Sequence, residues 1–103
     1  MKFLIEPINQ AARVENYEVS IINFAKAINR SIRKSDFAAR IGRYEFVLAL
    51  ATSDKEAGEI VYRITELWRD EDFRFSYSST PYLIGDGALS LLSRLDRSEV
   101  IHP

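Results

Sequence analysis

The stretch Glu45–Ala51 constrains the fold most, because it reads Glu-Phe-Val-Leu-Ala-Leu-Ala and is apolar at nearly every position. A short continuous apolar run of this kind is typical of a buried strand at the centre of a sheet. A second strand-like segment, Phe37–Ile41, precedes it. The residues Gly42 and Arg43 between them can form a tight turn. The two segments therefore predict a central β-hairpin.

Segments with helical spacing lie on both sides of this hairpin. From Asn16 to Lys34, apolar residues recur every three or four positions, which indicates a helix with one buried stripe. The run Ser53–Glu56 has the form of a capping box, and it opens a second helix that extends to Trp68. The first stripe comprises Ile21, Phe24, Ala25, Ile28 and Ile32, and the second comprises Ala57, Ile60, Val61, Ile64, Leu67 and Trp68.

The remaining segments complete an alternating order. Lys2–Glu6 is a short apolar stretch that suits a first strand. Phe73–Tyr77 alternates aromatic and polar residues, as a half-exposed strand does. Asp86 is expected to cap a short third helix, and Glu99–His102 to add a last edge strand. The third helix would turn inward Ala88, Leu91, Leu92 and Leu95.

The resulting order is strand, helix, strand, strand, helix, strand, helix. Helices between strands with one central hairpin predict an α/β (α+β) sandwich, in which a mixed, mostly antiparallel sheet is flanked by helices. The chain has 103 residues. Because domains most often run to about 100–150 residues, we expect a single short domain that spans residues 1–103.

Composition excludes several classes of function. The chain has no Cys, so disulfides, thiolate metal sites and Cys nucleophiles are ruled out. Its one His is His102, next to the last residue, which argues against a multi-His metal site or a buried Ser-His-Asp triad. Lys plus Arg number 14 and Asp plus Glu number 15, a balance that argues against general nucleic-acid binding. No apolar run approaches the ~20 residues that span a bilayer. The sequence therefore predicts a cytoplasmic domain with no nucleic-acid or membrane partner.

A specific pattern lies between Arg33 and Phe46. It contains an Arg-x-x-Asp at Arg33 and Asp36, then Arg40, then a five-residue segment that starts at Gly42. The pattern resembles the signature of GGDEF domains, the diguanylate cyclases that condense two GTP into cyclic di-GMP. In that family an Arg-x-x-Asp and an Arg precede Gly-Gly-Asp/Glu-Glu-Phe on a strand–turn–strand hairpin. Weaker similarities extend over most of the chain, at Ile8-Asn9, Glu18–Arg33, Phe75–Ser78 and Leu91–Asp96.

The signature departs from the family pattern at its second and third positions. The second Gly of the family lets the nucleotide approach the backbone, and Arg43 places a long side chain there. The third residue of the family supplies a carboxylate to Mg²⁺, for which the phenol of Tyr44 is a poor replacement. The five positions read, in order, Gly42, Arg43, Tyr44, Glu45 and Phe46.

Other family positions are changed as well. The Asp after the family's Ile-Asn is Gln10 here, the Gly of its Ser-x-Gly strand is Ser78, and the phosphate-contacting Lys of its last helix is Ser93. Its other metal carboxylate falls on Met1 in an ungapped alignment, whereas a gap would let Glu6 fill the role. Two-metal phosphoryl transfer needs charge neutralisation and in-line positioning. We therefore expect no cyclase activity, no bound metal and no other cofactor.

The Arg-x-x-Asp is retained as Arg33 and Asp36. In the family this is the inhibitory site, where cyclic di-GMP binds. A guanidinium can bond a phosphate or the O6/N7 edge of guanine bidentately, and a carboxylate can accept from guanine N1–H and N2–H. The resemblance thus implies a ligand site at Arg33 and Asp36, with Lys34 and Arg40 adding positive potential. The structural alternative is a local surface ion pair, worth about 0–1 kcal/mol.

Three functions remain open. The first is an inactive GGDEF domain that binds cyclic di-GMP and then changes its contacts with a protein partner or a second copy. The second is an interaction or dimerisation module that binds no nucleotide. The third is a weak cyclase that uses Glu6 and Glu45 with Mg²⁺. We expect Arg43 and Tyr44 to form an exposed turn, with a protein contact as the alternative. We expect Glu45 to be an outward strand residue, with a residual metal ligand as the alternative.

Overall fold

Strands and helices alternate in the predicted order, and the α+β fold class is confirmed. The computed structural model describes residues 1–8, 15–51 and 54–103. The capping box expected at Ser53, and the motif residues Asn9 and Gln10, lie outside these ranges. The elements are β1 (Lys2–Pro7), α1 (Glu15–Ser31), β2 (Phe37–Arg40), β3 (Glu45–Ala49), α2 (Asp54–Leu67), β4 (Phe73–Ser78) and α3 (Ala88–Arg97).

The described strands form one sheet in the order β2-β3-β1-β4, and each of these pairings is antiparallel. β2 and β3 are the predicted hairpin. β1 lies between β3 and β4, so that Phe3 is opposite Phe46 on one side and Tyr77 on the other. The edge strand expected at Glu99–His102 is reduced to a single bridge between Tyr77 and Ile101.

One face of the sheet is buried beneath α1 and α2, and the ring of Phe24 lies at the centre of this core. Its centroid is 5.7 Å from that of Phe3 on β1, 5.4 Å from Phe46 on β3 and 5.2 Å from Phe75 on β4. The indole of Trp68, just after α2, meets it edge-on at 5.0 Å. The predicted stripes supply the helical side of the core: Ile21, Phe24 and Ile28 from α1, and Ile60, Val61 and Ile64 from α2.

α3 lies on the opposite face of the sheet. Lys2 points away from the core, and its ammonium is 2.6 Å from the Asp96 carboxylate of α3 and 3.5 Å from Glu45. The hydrogen bond to Asp96 is the main cause of a raised pKa at Lys2. Leu95 is buried but does not belong to the core cluster. Of the described helices, none is long and apolar enough to cross a bilayer.

Three expectations from the helical patterns are wrong. Leu67 is exposed, because Ile60, Ile64 and Trp68, spaced four residues apart, occupy the side of the second helix that faces the core. In α3, only Leu95 of the residues expected inward is fully buried, since this short helix covers part of one sheet face. Gly87 takes the N-cap position of α3 in place of Asp86, whose carboxylate accepts from the Leu83 N–H and from the guanidinium of Arg94.

Replacing Phe24 by Ala should lower the free energy of unfolding by about 3–5 kcal/mol, because it leaves a cavity that four aromatic neighbours line. Val19 on the same helix is exposed, and its replacement by Ala should change stability by less than about 0.5 kcal/mol. Chemical denaturation of both variants measures the difference. Similar losses in the two variants would contradict a core centred on Phe24.

Candidate functional site

The turn after α1 is closed by Asp36. The N–H of Arg33 donates to Oδ2 of Asp36 at 2.9 Å, and the N–H of Asp36 donates back to the carbonyl of Arg33 at 3.0 Å. Oδ1 of Asp36 accepts the N–H of Ala51 at 3.1 Å, just beyond the end of β3. The carboxylate therefore joins the end of the first helix to the end of the central strand.

The guanidinium of Arg33 is mostly in solvent. Its Nη2 lies 3.4 Å from Oε1 of Glu56 on α2, and the Arg33 side chain is 60% exposed. The structure thus places Arg33 and Asp36 in one turn, but the ion pair of the guanidinium is with Glu56. An ionised carboxylate has about four lone-pair sites. Among the residues that the structure describes, backbone N–H groups take one site on each oxygen, which leaves two sites of Asp36 for further hydrogen bonds.

Further cations lie at this corner of the molecule. Lys34 is exposed beside Arg33, and Arg30 is exposed one turn earlier in α1. Arg63 of α2 donates from Nη1 to the carbonyl of Ser31 at 3.2 Å, at the last residue of α1. The sequence reading missed Arg63. Arg63 lies seven residues after Glu56 and so shares its face of α2. Helical periodicity alone does not predict that this face contacts the end of α1.

Arg40 does not reach this corner. Its guanidinium donates to the carbonyls of Gly42 at 3.1 Å and Arg43 at 2.6 Å, and it pairs with Glu18 at 2.9 Å. The hydrogen bond from Arg40 also lowers the pKa of the Glu18 carboxyl. Glu18 is near the start of α1, whereas Arg33 follows its last residue, so Arg40 and Arg33 are at different ends of the helix. The contacts of Arg40 with Gly42 and Arg43 stabilise the β2–β3 turn.

Tyr44, the third signature residue, packs into the molecule. Its ring lies 4.8 Å from that of Tyr17 on α1, which in turn lies 4.3 Å from Phe73 on β4. Desolvation of the Tyr17 phenol is the main cause of its raised pKa, and its electrostatic interaction with Tyr44 raises the pKa further. Arg43 is exposed, as expected for the turn, but Tyr44 is half-buried because its aromatic surface contacts the core. A packed ring therefore stands where the family has a metal carboxylate.

The other signature residues have structural partners. Phe46 is a core residue. Gly42 does not have a positive φ, and a Cβ there would meet Glu45 at an ordinary 3.6 Å, so the backbone does not require glycine. The Glu45 side chain leaves β3 on the face away from α1 and lies 3.5 Å from the ammonium of Lys2.

Glu6, which would share a metal with Glu45 in a weak cyclase, also faces a cation. Its carboxylate lies 3.4 Å from the guanidinium of Arg74 on β4 and 4.0 Å from the exposed ring of His102. Both carboxylates are on the sheet face opposite the ring of Tyr44. Within the ranges that the structure describes, no three Asp, Glu or His side chains are grouped so that they could hold a metal ion.

The family model described as diguanylate cyclase, GGDEF domain, matches residues 17–85 of the chain. The chain belongs to the GGDEF family. Its fold is similar to that of the diguanylate cyclase SiaD from Pseudomonas aeruginosa, whose crystal structure was determined in complex with its activator SiaC. The TM-score is 0.70 at 18% sequence identity, and the match covers 94% of this chain and 43% of that one. No curated protein matches the chain.

The family match confirms the resemblance that the Arg-x-x-Asp and the hairpin spacing indicated. It covers both the Arg33–Asp36 turn and the Gly42–Phe46 signature. The chain spans less than half the length of the similar solved structure. These two places, on a GGDEF fold, are therefore the candidate sites.

Replacing Asp36 by Ala should lower the free energy of unfolding by about 1–3 kcal/mol, because two backbone N–H groups lose their acceptor. Replacing Arg33 by Ala should change it by less than about 1 kcal/mol, since the side chain is mostly exposed and its ion pair is at the surface. Urea denaturation at neutral pH measures both. An equal loss in the two variants would show that the guanidinium, too, is part of the turn's structure.

Proposed function

We propose that this GGDEF domain binds cyclic di-GMP at the turn formed by Arg33 and Asp36, and that it does not synthesise the nucleotide. The observation that carries the proposal is the arrangement of this turn. One short segment supplies both the Asp36 carboxylate, which two backbone N–H groups hold in place, and the exposed guanidinium of Arg33. Those two groups match the hydrogen-bonding edges of guanine and the charge of a phosphate.

Electrostatics at this corner support a ligand with two phosphates. Arg33 and Lys34 follow α1, and Arg30 and Arg63 lie close to its end. The competing acceptor is Glu56, at 3.4 Å from Arg33. An exposed pair of this kind is worth about 0–1 kcal/mol, so a phosphate can replace Glu56 at small cost.

The position of Asp36 supports recognition of guanine. Two backbone N–H groups hold its carboxylate in place before any ligand arrives. A group that is already ordered loses little conformational entropy when it binds. Asp36 would accept from guanine N1–H and N2–H, while Arg33 would contact a phosphate or the O6/N7 edge. Arg40 would add only to the long-range field, because its guanidinium is engaged at the hairpin.

The signature hairpin supports the absence of synthesis. The ring of Tyr44 packs on Tyr17, and the carboxylates of Glu6 and Glu45 are paired with Arg74 and Lys2 on the other face of the sheet. Mg²⁺ prefers near-octahedral oxygen coordination. The side chains of Glu6, Tyr44 and Glu45 do not point to one place where an ion could be held. Arg43 also adds a long side chain where the family has glycine.

The output of binding would be a change in protein contacts. The similar diguanylate cyclase SiaD was crystallised with a protein activator, and we extend to this chain the use of a protein partner or a second copy. A receptor for an intracellular nucleotide would act in the cytoplasm.

Titration calorimetry with cyclic di-GMP tests the proposal. We expect saturable heat for the wild type and about 5- to 150-fold weaker binding for Arg33→Ala and Asp36→Asn, because each loses one polar contact worth about 1–3 kcal/mol. The matched control is Arg69→Ala, an exposed Arg just beyond the C-terminal end of α2 that pairs with Glu66, and its affinity should be unchanged. No heat from the wild type at high micromolar ligand would end the proposal.

Incubation with GTP and Mg²⁺ tests the absence of synthesis. At high protein concentration we expect no cyclic di-GMP, because the candidate carboxylates are held by cations on the wrong face of the hairpin. Chromatography of the nucleotides measures the product. A product that forms with the wild type and is lost in both Glu6→Gln and Glu45→Gln would instead establish a weak cyclase.

The second candidate is an interaction module that binds no nucleotide. It is favoured by the fact that Asp36 already accepts two backbone N–H groups and Arg33 already pairs with Glu56, so both residues have structural partners. This function predicts no heat with cyclic di-GMP, while Asp36→Ala still destabilises the fold.

A further inference from the structure

The loop between β4 and α3 exposes three consecutive large apolar side chains to water. Tyr82 is 66% exposed and Leu83 51%, while Ile84 is fully exposed. From Phe75 to Gly85 the sequence contains no charged residue. Single exposed apolar residues are normal on a protein surface, but contiguous apolar patches mark interaction sites. We call Tyr82–Ile84 the apolar tip.

A hydrogen-bond network holds the apolar tip in one conformation. Arg94 of α3 donates to the two oxygens of Asp86 at 2.6 and 2.9 Å, and to the carbonyl of Pro81 at 3.0 Å. The Asp86 carboxylate also accepts the N–H of Leu83 at 2.8 Å. Gly85, with φ +93°, makes the turn between the tip and Asp86. A segment that is already ordered loses little conformational entropy when it binds.

The same network satisfies backbone polar groups of the tip from within the chain. Asp86 takes both backbone groups of Leu83, since its carboxylate accepts the N–H and its own N–H donates to the carbonyl at 2.9 Å. Pro81 has no N–H, and Arg94 donates to its carbonyl. In hydrocarbon an unpaired backbone group is costly, because no water is available to bond it. These groups can therefore leave water without losing a partner.

The ion pair beside the tip is largely covered by the protein. The Asp86 side chain is only 6% exposed. The hydrogen bond from Arg94, with that from the Leu83 N–H, lowers the pKa of its carboxyl to about 2, so the pair is charged at neutral pH. A lone carboxylate would resist transfer towards an apolar phase. Here the charge is already neutralised by the guanidinium, so it does not oppose insertion of the tip.

We propose that the apolar tip inserts into the interface of a lipid bilayer and holds the domain at a membrane surface. Ile84 protrudes fully from the protein, and a fluid lipid layer accepts a protruding apolar group without a complementary groove. Tyr82 adds a ring of the kind that is enriched at membrane–water interfaces. The expectation of no membrane partner rested on the lack of a spanning segment, and an inserted loop needs none.

Apolar burial, not attraction to anionic headgroups, drives this contact. The tip carries no Lys or Arg, and the chain has a formal net charge of −1. Binding should therefore be similar on zwitterionic and anionic bilayers, unlike that of a polybasic segment. Three side chains give weak, reversible binding, for which a single acyl chain, with an association constant of about 10⁴ M⁻¹, is a suitable comparison. The tip contains neither Arg33 nor Asp36, so insertion does not depend on nucleotide binding.

Co-sedimentation of the full chain with sucrose-loaded phosphatidylcholine vesicles, up to millimolar lipid, tests the proposal. We expect the bound fraction of the wild type to rise with lipid. Ile84→Asp should bind at least tenfold more weakly, because burial of one Ile side chain accounts for that factor. The matched control is Val19→Asp, which makes the same charge change at an exposed apolar residue of α1, and it should bind like the wild type. Circular dichroism checks that both variants keep the fold.

Fluorescence of Tyr82→Trp tests insertion of the tip itself. The single Trp of the wild type, Trp68, is buried in the core and supplies the background signal. With vesicles of brominated phosphatidylcholine, we expect quenching of Tyr82→Trp but not of the wild type. Adding phosphatidylglycerol to the vesicles, or high salt to the buffer, should leave the bound fraction unchanged within about twofold, since no free charge takes part.

Three outcomes would overturn the proposal. The first is a wild type that stays in the supernatant at millimolar lipid, which would leave the apolar tip to a protein. The second is equal binding of Ile84→Asp and the wild type, which would assign the contact to another surface. The third is binding that requires phosphatidylglycerol and is lost in high salt, which would make the contact electrostatic.

Discussion

Burial of Phe24 positions the helices on the sheet. Its ring meets Phe3, Phe46 and Phe75 on three strands and Trp68 after α2. Aromatic rings at these separations pack with little freedom, because protein interiors are as dense as organic crystals. α1 is therefore fixed over the sheet, and its ends reach two places: Asp36 beside the end of β3, and Glu18 beside the hairpin turn. The core thus sets the geometry of both candidate sites.

The third signature position of the hairpin is a packing position in this chain. A metal carboxylate must face the ion, whereas a tyrosine ring gains free energy by leaving water. In this chain the ring of Tyr44 packs on that of Tyr17. The carboxylates that remain nearby, Glu6 and Glu45, are paired with cations on the opposite face.

The sequence patterns were reliable where one periodicity covered a whole element. The stripe of Ile21, Phe24 and Ile28 predicted burial correctly. The apolar run around Phe46 predicted a fully buried strand, but only Phe46 and Leu48 are buried, because the other face of β3 is left partly open. The patterns also failed at element ends and in short elements. Leu67 has the right spacing but lies at the edge of the buried arc. Asp86 is a good capping residue, yet Arg94 binds it more strongly, because a bidentate charged pair outweighs a single cap hydrogen bond.

By itself, the sequence determined the order of elements, the resemblance to GGDEF domains and the chemical types at Arg33 and Asp36. Only the tertiary structure decided what those groups contact. The guanidinium of Arg40 reaches a carboxylate 22 positions away, and Arg63 reaches a carbonyl 32 positions away. Such contacts depend on how α1 packs against the hairpin and α2. Local periodicity says which face of a helix is buried, but it does not say which side chains of another element that face will meet.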